Sequence, residues 1–265
     1  MAIDFDPALV SWVKSPKNLW GIVRHISAGP VSAIRKVRSR VEGGSPRQES
    51  FPEPSLSSQT GFKTRHNLAS QGWGYIDEFF SIETYQHLLK HWPRLCDFKA
   101  PGGDWAKSYD TSTIGMSRNS YSESAQPDGF VSSIFHLLFS DQTARLVTAL
   151  ANDGVPRVAM NASLSWARHH HYLLPHRDSN SEDNRRWINF IIFVDGATPA
   201  LESGGTSFFR TNSYEDVLFS PHSLKNTAIF YDTRAGFYHG FPPVRWGGFS
   251  KRIICNYASI TEVQS

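Results

Sequence analysis

From Asn161 onward the chain breaks into short β-rich runs separated by turn residues, at 164–174, 187–194, 206–210, 227–231 and 252–257. Several short strands in one compact unit favour a sandwich or a barrel. Upstream the texture differs. A short strand is expected at 74–80, followed by Ser81 as the N-cap of an amphipathic helix through Tyr85, Leu88 and Leu89. Two further helices are expected, at 131–139 and 141–150. Helices followed by strands make an α+β chain. Between them, residues 101–129 are rich in Gly, Ser, Tyr and Trp and read as a long loop bordering a site.

The domain carrying this pattern is expected over 62–265, because residues 43–61 read GGSPRQESFPEPSLSSQTG, where eleven of nineteen are Gly, Pro or Ser. Such a stretch has little to bury and is read as a linker. Ahead of it, residues 1–42 form a basic amphipathic extension. Residues 1–41 hold seven Lys/Arg against Asp4 and Asp6, a net +5, while the whole chain is only +3. With Trp12, Trp20 and Ile34, Val37 and Val41 at helical spacing, the extension suits packing on its own domain or a dimer mate, or docking on an anionic membrane face or an acidic partner. No nucleic-acid motif accompanies the charge, so nucleic acid is not an expected partner.

Composition sets outer limits. With 265 residues and 40% hydrophobic content there is enough apolar material for one large core or two small ones. The longest apolar run, 188–194, is broken by Asn189 and falls short of the roughly 18 residues needed to span a bilayer. Cys96 and Cys255 stand far apart, which leaves no disulfide framework and no thiolate zinc site. No export signal is read at the N-terminus, and the expected setting is cytoplasmic, with peripheral membrane association as the alternative in which the basic extension docks on lipid.

The chemistry lies in an ordered set of residues. In Tyr172-Leu-Leu-Pro-His176-Arg177-Asp178, residues i and i+2 of an extended segment face the same way, so His176 and Asp178 can reach one cation together. One His-x-Asp is weak evidence by itself. Downstream come an Arg-Arg-Trp-Ile-Asn strand, Gly204-Gly205, a strand leading to Tyr238-His239-Gly240, and the basic strand Lys251-Arg252-Ile-Ile-Cys-Asn256-Tyr257. In this order, residues 72–260 resemble the iron(II)- and 2-oxoglutarate-dependent oxygenases of the prolyl-hydroxylase-like type.

The resemblance implies a double-stranded β-helix, a jelly-roll core with flanking N-terminal helices. It also implies His176, Asp178 and His239 as iron ligands, 2-oxoglutarate and O2 as co-substrates, and ascorbate as an accessory reductant. The remote carboxylate of 2-oxoglutarate needs a buried cationic fork, for which arginine is suited. Strand alternation puts Ser250, Arg252, Ile254 and Asn256 on one face and Lys251 on the other, which favours Arg252 over Lys251. Asn256 is read either as touching the co-substrate or as a buried asparagine bonded to backbone. Related halogenases carry a small residue at the carboxylate position, so Asp178 favours hydroxylation or a related oxidation.

The expected substrate is a polar small molecule or a carrier-linked metabolite. The alternatives are a protein side chain of the prolyl type, and a non-catalytic jelly-roll that binds a ligand. Weaker signals have structural readings beside functional ones. His169-His170-His171 enters the site on a strand, so at most alternate members share a direction. Arg168 and Arg186 are either contacts for an acidic substrate or members of ion pairs. Trp105 and Tyr109 either line a pocket or pack. Gly204-Gly205 reads as a tight turn. His170 stands where the family often has glycine, and Trp246-Gly-Gly lies between His239 and Arg252, so the mouth of the site is expected to differ in shape.

Overall fold

A computed structural model describes residues 52–58, 65–66, 68–100, 106–123, 129–178 and 185–260. The basic extension, the rest of the linker and Trp105 lie outside these residues. Strands β1 (Arg65–His66), β2 (Trp73–Ile76), β3 (Phe98–Lys99), β4 (Lys107–Ser108) and β5 (Asp110–Ser117) precede the main run. That run comprises β6 (Arg157–Arg168), β7 (Tyr172–His176), β8 (Trp187–Gly196), β9 (Ser207–Phe209) and β10 (Val217–Phe219). It ends with β11 (Thr227–Asp232), β12 (Tyr238–Phe241) and β13 (Phe249–Ser259). Among the described residues they form an eight-stranded sheet, β1-β2-β11-β8-β13-β6-β5-β3, and a five-stranded one, β10-β9-β12-β7-β4, with antiparallel neighbours throughout.

Alternation along the central strands divides the core in two. Phe190, Ile192 and Val194 of β8, with Ala228 and Phe230 of β11 and Ile253, Cys255 and Tyr257 of β13, pack under the helices. The intervening Ile191, Phe193, Ile229 and Tyr231 turn the other way and meet Phe208 of the smaller sheet. Each central strand is thus buried on both faces, and its run reads as nearly continuous hydrophobicity. This is the expected α+β jelly-roll, with the space between its sheets kept for the site.

After a four-residue α1 (Leu68–Gln71) that was not expected, three helices lie where their periodicity puts them: α2 (Ile82–Lys90), α3 (Phe130–Phe139) and α4 (Asp141–Ala151). Ser81 caps α2 by accepting from the Thr84 N–H at 3.2 Å, and Ser140 caps α4 in the same way. Glu83 and Asp141 in the first turns complement the helix dipoles. No helix among the described residues is long and apolar enough to cross a membrane.

Three local expectations are corrected. The 101–129 loop contains β4 and β5, and β5 pairs with β6. Its string of Ser, Thr and Gly carries no apolar alternation, so ladder hydrogen bonds and not hydrophobic patterning make it a strand. The 164–174 run is two strands in different sheets. They are joined at His169–His171, where His170 adopts φ +70°, the left-handed conformation that favours glycine. Finally, part of the stretch read as linker lies along the domain. Leu56 bridges Phe80, and the Ser57 N–H donates to the Phe79 carbonyl at 3.0 Å.

Candidate metal centre

His176 closes β7 and Asp178 follows two residues on, while His239 on β12 is the direct register partner of His176. The ligand atoms of these three residues all lie within 4.8 Å of one another. Asp178 Oδ1 is 3.8 Å from Nε2 of His176 and 3.6 Å from Nε2 of His239. Donors about 2.1 Å from a common ion stand roughly 3 Å apart, so small adjustments bring all three onto one cation. Two imidazoles and one carboxylate are the donor set of non-haem iron(II) sites with open positions.

The protonation states suit metal binding. Nδ1 of His176 lies 2.8 Å from the Leu174 carbonyl, which can only accept. In the neutral imidazole Nδ1 therefore carries the proton and Nε2 is the nitrogen left to bind a metal. His239 is buried. Desolvation, and then the neighbouring His176, push its pKa down to about 3 against the pull of Asp178. It is therefore neutral, as a ligand must be. Tyr231 donates its hydroxyl toward Asp178 Oδ2 at 3.1 Å, and Asn189 donates Nδ2 to the same oxygen at 2.8 Å. Burial first, and then the Asp178 charge, hold the Tyr231 hydroxyl well above its ordinary pKa, so it stays a donor.

On the face of β13 opposite Ile253, Cys255 and Tyr257, Arg252 is only 1% exposed. Its guanidinium lies between two rings, with Cζ 4.8 Å from the centroids of both Tyr109 and Phe241. Nε donates to Ser165 Oγ at 3.1 Å, and Nη1 to Thr206 Oγ1 at 3.3 Å and the Gly204 carbonyl at 3.4 Å. Nη2 is buried and has no hydrogen-bond partner. Among the described residues Arg252 has no carboxylate partner, and burial pushes its pKa down to about 10. A buried, uncompensated cation costs several kcal/mol, and an anion that reaches it recovers much of that.

Gly204-Gly205 is the expected turn, and it does more than turn the chain. Gly204 has φ +82°, and a Cβ there would stand 2.6 Å from that of Ala167. Its carbonyl receives both Ser250 Oγ and Arg252 Nη1, so the tight approach helps cradle the arginine.

The remaining candidates separate clearly. Lys251 points away, toward Asp195 at 3.7 Å and the Trp166 ring, so Arg252 is the strand's inward cation. Arg168 pairs with Asp110 at 2.6 Å, and Arg186 with Asp153 and Asp232, so both are ion-pair residues. His169 packs on Trp246 and reaches the Val244 carbonyl, and His171 is buried in the turn. None of the three consecutive histidines joins the ligand trio. Asn256 bonds neither to backbone nor near the arginine: its Nδ2 donates to Asn189 Oδ1. Tyr231, Asn189, Ser165 and Thr206 were not anticipated. A signal existed only for Asn189, the polar interruption on the inward face of an otherwise apolar strand.

Two antiparallel sheets with a two-histidine, one-carboxylate trio between them and a buried arginine nearby define a double-stranded β-helix with a candidate metal centre. No family model matches the sequence, and no curated protein matches it. Solved structures do match. A Pseudomonas putida prolyl-4-hydroxylase superposes with TM-score 0.52 at 13% identity, covering 72% of this chain and 94% of its own. A Burkholderia pseudomallei oxidoreductase of the 2-oxoglutarate–Fe(II) oxygenase family gives TM-score 0.52 at 14% identity, covering 74% and 88% respectively. HygX from Streptomyces hygroscopicus, solved with nickel and 2-oxoglutarate bound, gives TM-score 0.51 at 11% identity, covering 79% and 91%. The chain has the fold of the 2-oxoglutarate- and iron(II)-dependent oxygenases.

Proposed function

We propose that the protein is an iron(II)- and 2-oxoglutarate-dependent dioxygenase that oxidises a C–H bond of a polar small molecule or carrier-linked metabolite, releasing succinate and CO2. The observation that carries this reading is the pairing of the histidine–aspartate trio with Arg252, a buried guanidinium that has an unpartnered N–H and, among the described residues, no acid of its own. A structural metal site would account for the trio but not for the arginine.

In this reading His176, Asp178 and His239 hold iron through Nε2, a carboxylate oxygen and Nε2. Bound iron supplies the oxidising chemistry, coupled to decarboxylation of 2-oxoglutarate. Arg252 binds the remote carboxylate of the co-substrate, with Ser165, Thr206 and the Gly204 carbonyl orienting the fork and Tyr109 and Phe241 excluding water around it. No side chain here is asked to do acid–base work. The protein's contribution is to position the reactants and keep the site dry.

The test is anaerobic addition of iron(II) and then 2-oxoglutarate, read by the visible charge-transfer band of the chelated complex. His176→Ala should abolish the band and Arg252→Ala weaken it. Succinate release then screens metabolites, with prolyl peptides included because the Pseudomonas putida neighbour is a prolyl-4-hydroxylase. A wild-type protein giving no band would replace this reading with a ligand-binding jelly-roll.

A further inference from the structure

A single rung of side chains crosses the larger sheet beside the trio. Tyr231 on β11 and Asn256 on β13 are both register partners of Asn189 on β8. The chemistry of the neighbours orients each amide. Asp178 can only accept, so Asn189 turns Nδ2 toward it at 2.8 Å and leaves its own Oδ1 to accept from Nδ2 of Asn256. The Tyr231 hydroxyl lies 3.1 Å from Asp178 Oδ2 and 3.1 Å from His239 Nε2, with one proton to give. Once that nitrogen is committed to a metal, the proton goes to Asp178.

Both donors therefore converge on Oδ2, whereas Oδ1 is the oxygen closer to the histidine nitrogens. We propose that Asn189 and Tyr231 are positioning residues that hold Oδ2 of Asp178 off the metal, so that the carboxylate binds through Oδ1 alone, and that Asn256 locks the Asn189 amide in the orientation this requires. The inference rests on the reading of the trio as metal ligands. Its functional consequence is an open coordination position: a carboxylate binding through both oxygens would occupy a place that the co-substrate or oxygen needs.

Titration of the full chain with Co(II) tests this without any turnover, because the visible bands of Co(II) report coordination number. Tyr231→Phe and Asn189→Leu should each weaken Co(II) binding by about 10- to 100-fold and alter the bands, the usual consequence of losing an outer partner of a metal ligand. Asn256→Ala should give a smaller loss, by freeing the Asn189 amide to turn. Tyr231→Phe removes one oxygen and nothing else, so it decides the matter if Asn189→Leu fails to fold. Wild-type affinity and wild-type bands in the folded variants would overturn the inference. A wild-type protein that binds no Co(II) would instead overturn the reading of the site itself.

Discussion

His176 and His239 face one another across the β7–β12 ladder, with ring centroids 4.2 Å apart. The ligand geometry therefore depends on how closely two backbones approach, and Gly240 sits at that approach. A Cβ on Gly240 would stand 2.4 Å from the Leu173 carbonyl oxygen and 3.0 Å from that of Leu174, the oxygen that orients His176.

Gly240→Ala must push β12 off β7. The expected result is a loss of about 2 kcal/mol or more in folding stability. Metal affinity should drop about tenfold or more as the outer partner of His176 shifts. Chemical denaturation and a Co(II) titration check the two parts, and wild-type values for both would show that the ladder absorbs the methyl.

Arg252→Met separates stability from binding. The substitution removes an uncompensated buried cation and leaves an apolar chain of similar length between Tyr109 and Phe241, so the ligand-free protein should be as stable as wild type or more stable by about 1 kcal/mol or more. 2-Oxoglutarate affinity should fall by about 100-fold, because the partner carboxylate would be buried unpaired. Lys251→Met should leave that affinity within about twofold, since Lys251 lies on the opposite face and its partners, Asp195 and the Trp166 ring, are not those of Arg252. Denaturation of the ligand-free protein checks the stability and calorimetric titration of the metal-loaded protein checks the affinities, and a comparable loss of affinity in Lys251→Met would mean the wrong cation has been chosen.

Acid stability has an identifiable source outside the site. Arg157 and Arg186 clamp Asp153, and the Arg157 hydrogen bond, partly offset by burial, holds its pKa at about 2 against an ordinary 3.8. Above 3.8 the carboxylate is ionised in folded and unfolded chains alike, and its contribution of about 2 kcal/mol is fully present. As pH falls from there toward 2 the unfolded chain takes up a proton that the folded chain does not, and the contribution is lost. Asp153→Asn should cost about that amount at neutral pH and remove that part of the acid dependence. The difference between wild-type and variant denaturation midpoints across the acid range isolates the effect from that of His239, and a pH-independent difference would refute it.

The grouping of His176, Asp178 and His239 was legible because its members come in a fixed order along the chain. Arg252 was legible because strand alternation separates it from Lys251. The closeness of Tyr231 and Asn189 to Asp178 was not, since it depends on the register of β8 against β11 and β13; the polar interruption at Asn189 marks a position but not its partner. The partner of Asn256 was hidden for the same reason: strand alternation put it on the face of Arg252, but its hydrogen bond goes to a residue of another strand. The division of 164–174 was hidden because a histidine, His170, occupies a conformation that usually announces itself with glycine.

β5 was the element least visible in sequence, and its attachment links the fold to the site. Asp110 on β5 is fully buried and receives both Nε and Nη2 of Arg168 on β6, at 2.7 and 2.6 Å. One residue earlier, Tyr109 covers the guanidinium of Arg252. Asp110→Ala would strand Arg168, but that arginine side chain is 34% exposed and regains some water, so the expected cost is about 3 kcal/mol, the lower end for breaking such a pair. Because the ion pair anchors the strand beside Tyr109, 2-oxoglutarate affinity should fall about tenfold in the same variant, although Asp110 touches neither the trio nor Arg252. Asp110→Ala combined with Arg168→Met should recover stability by removing the stranded charge. Denaturation curves and calorimetric titration of the single and double variants check both effects. Loss of stability without loss of co-substrate affinity would show that Tyr109 holds its place independently of β5.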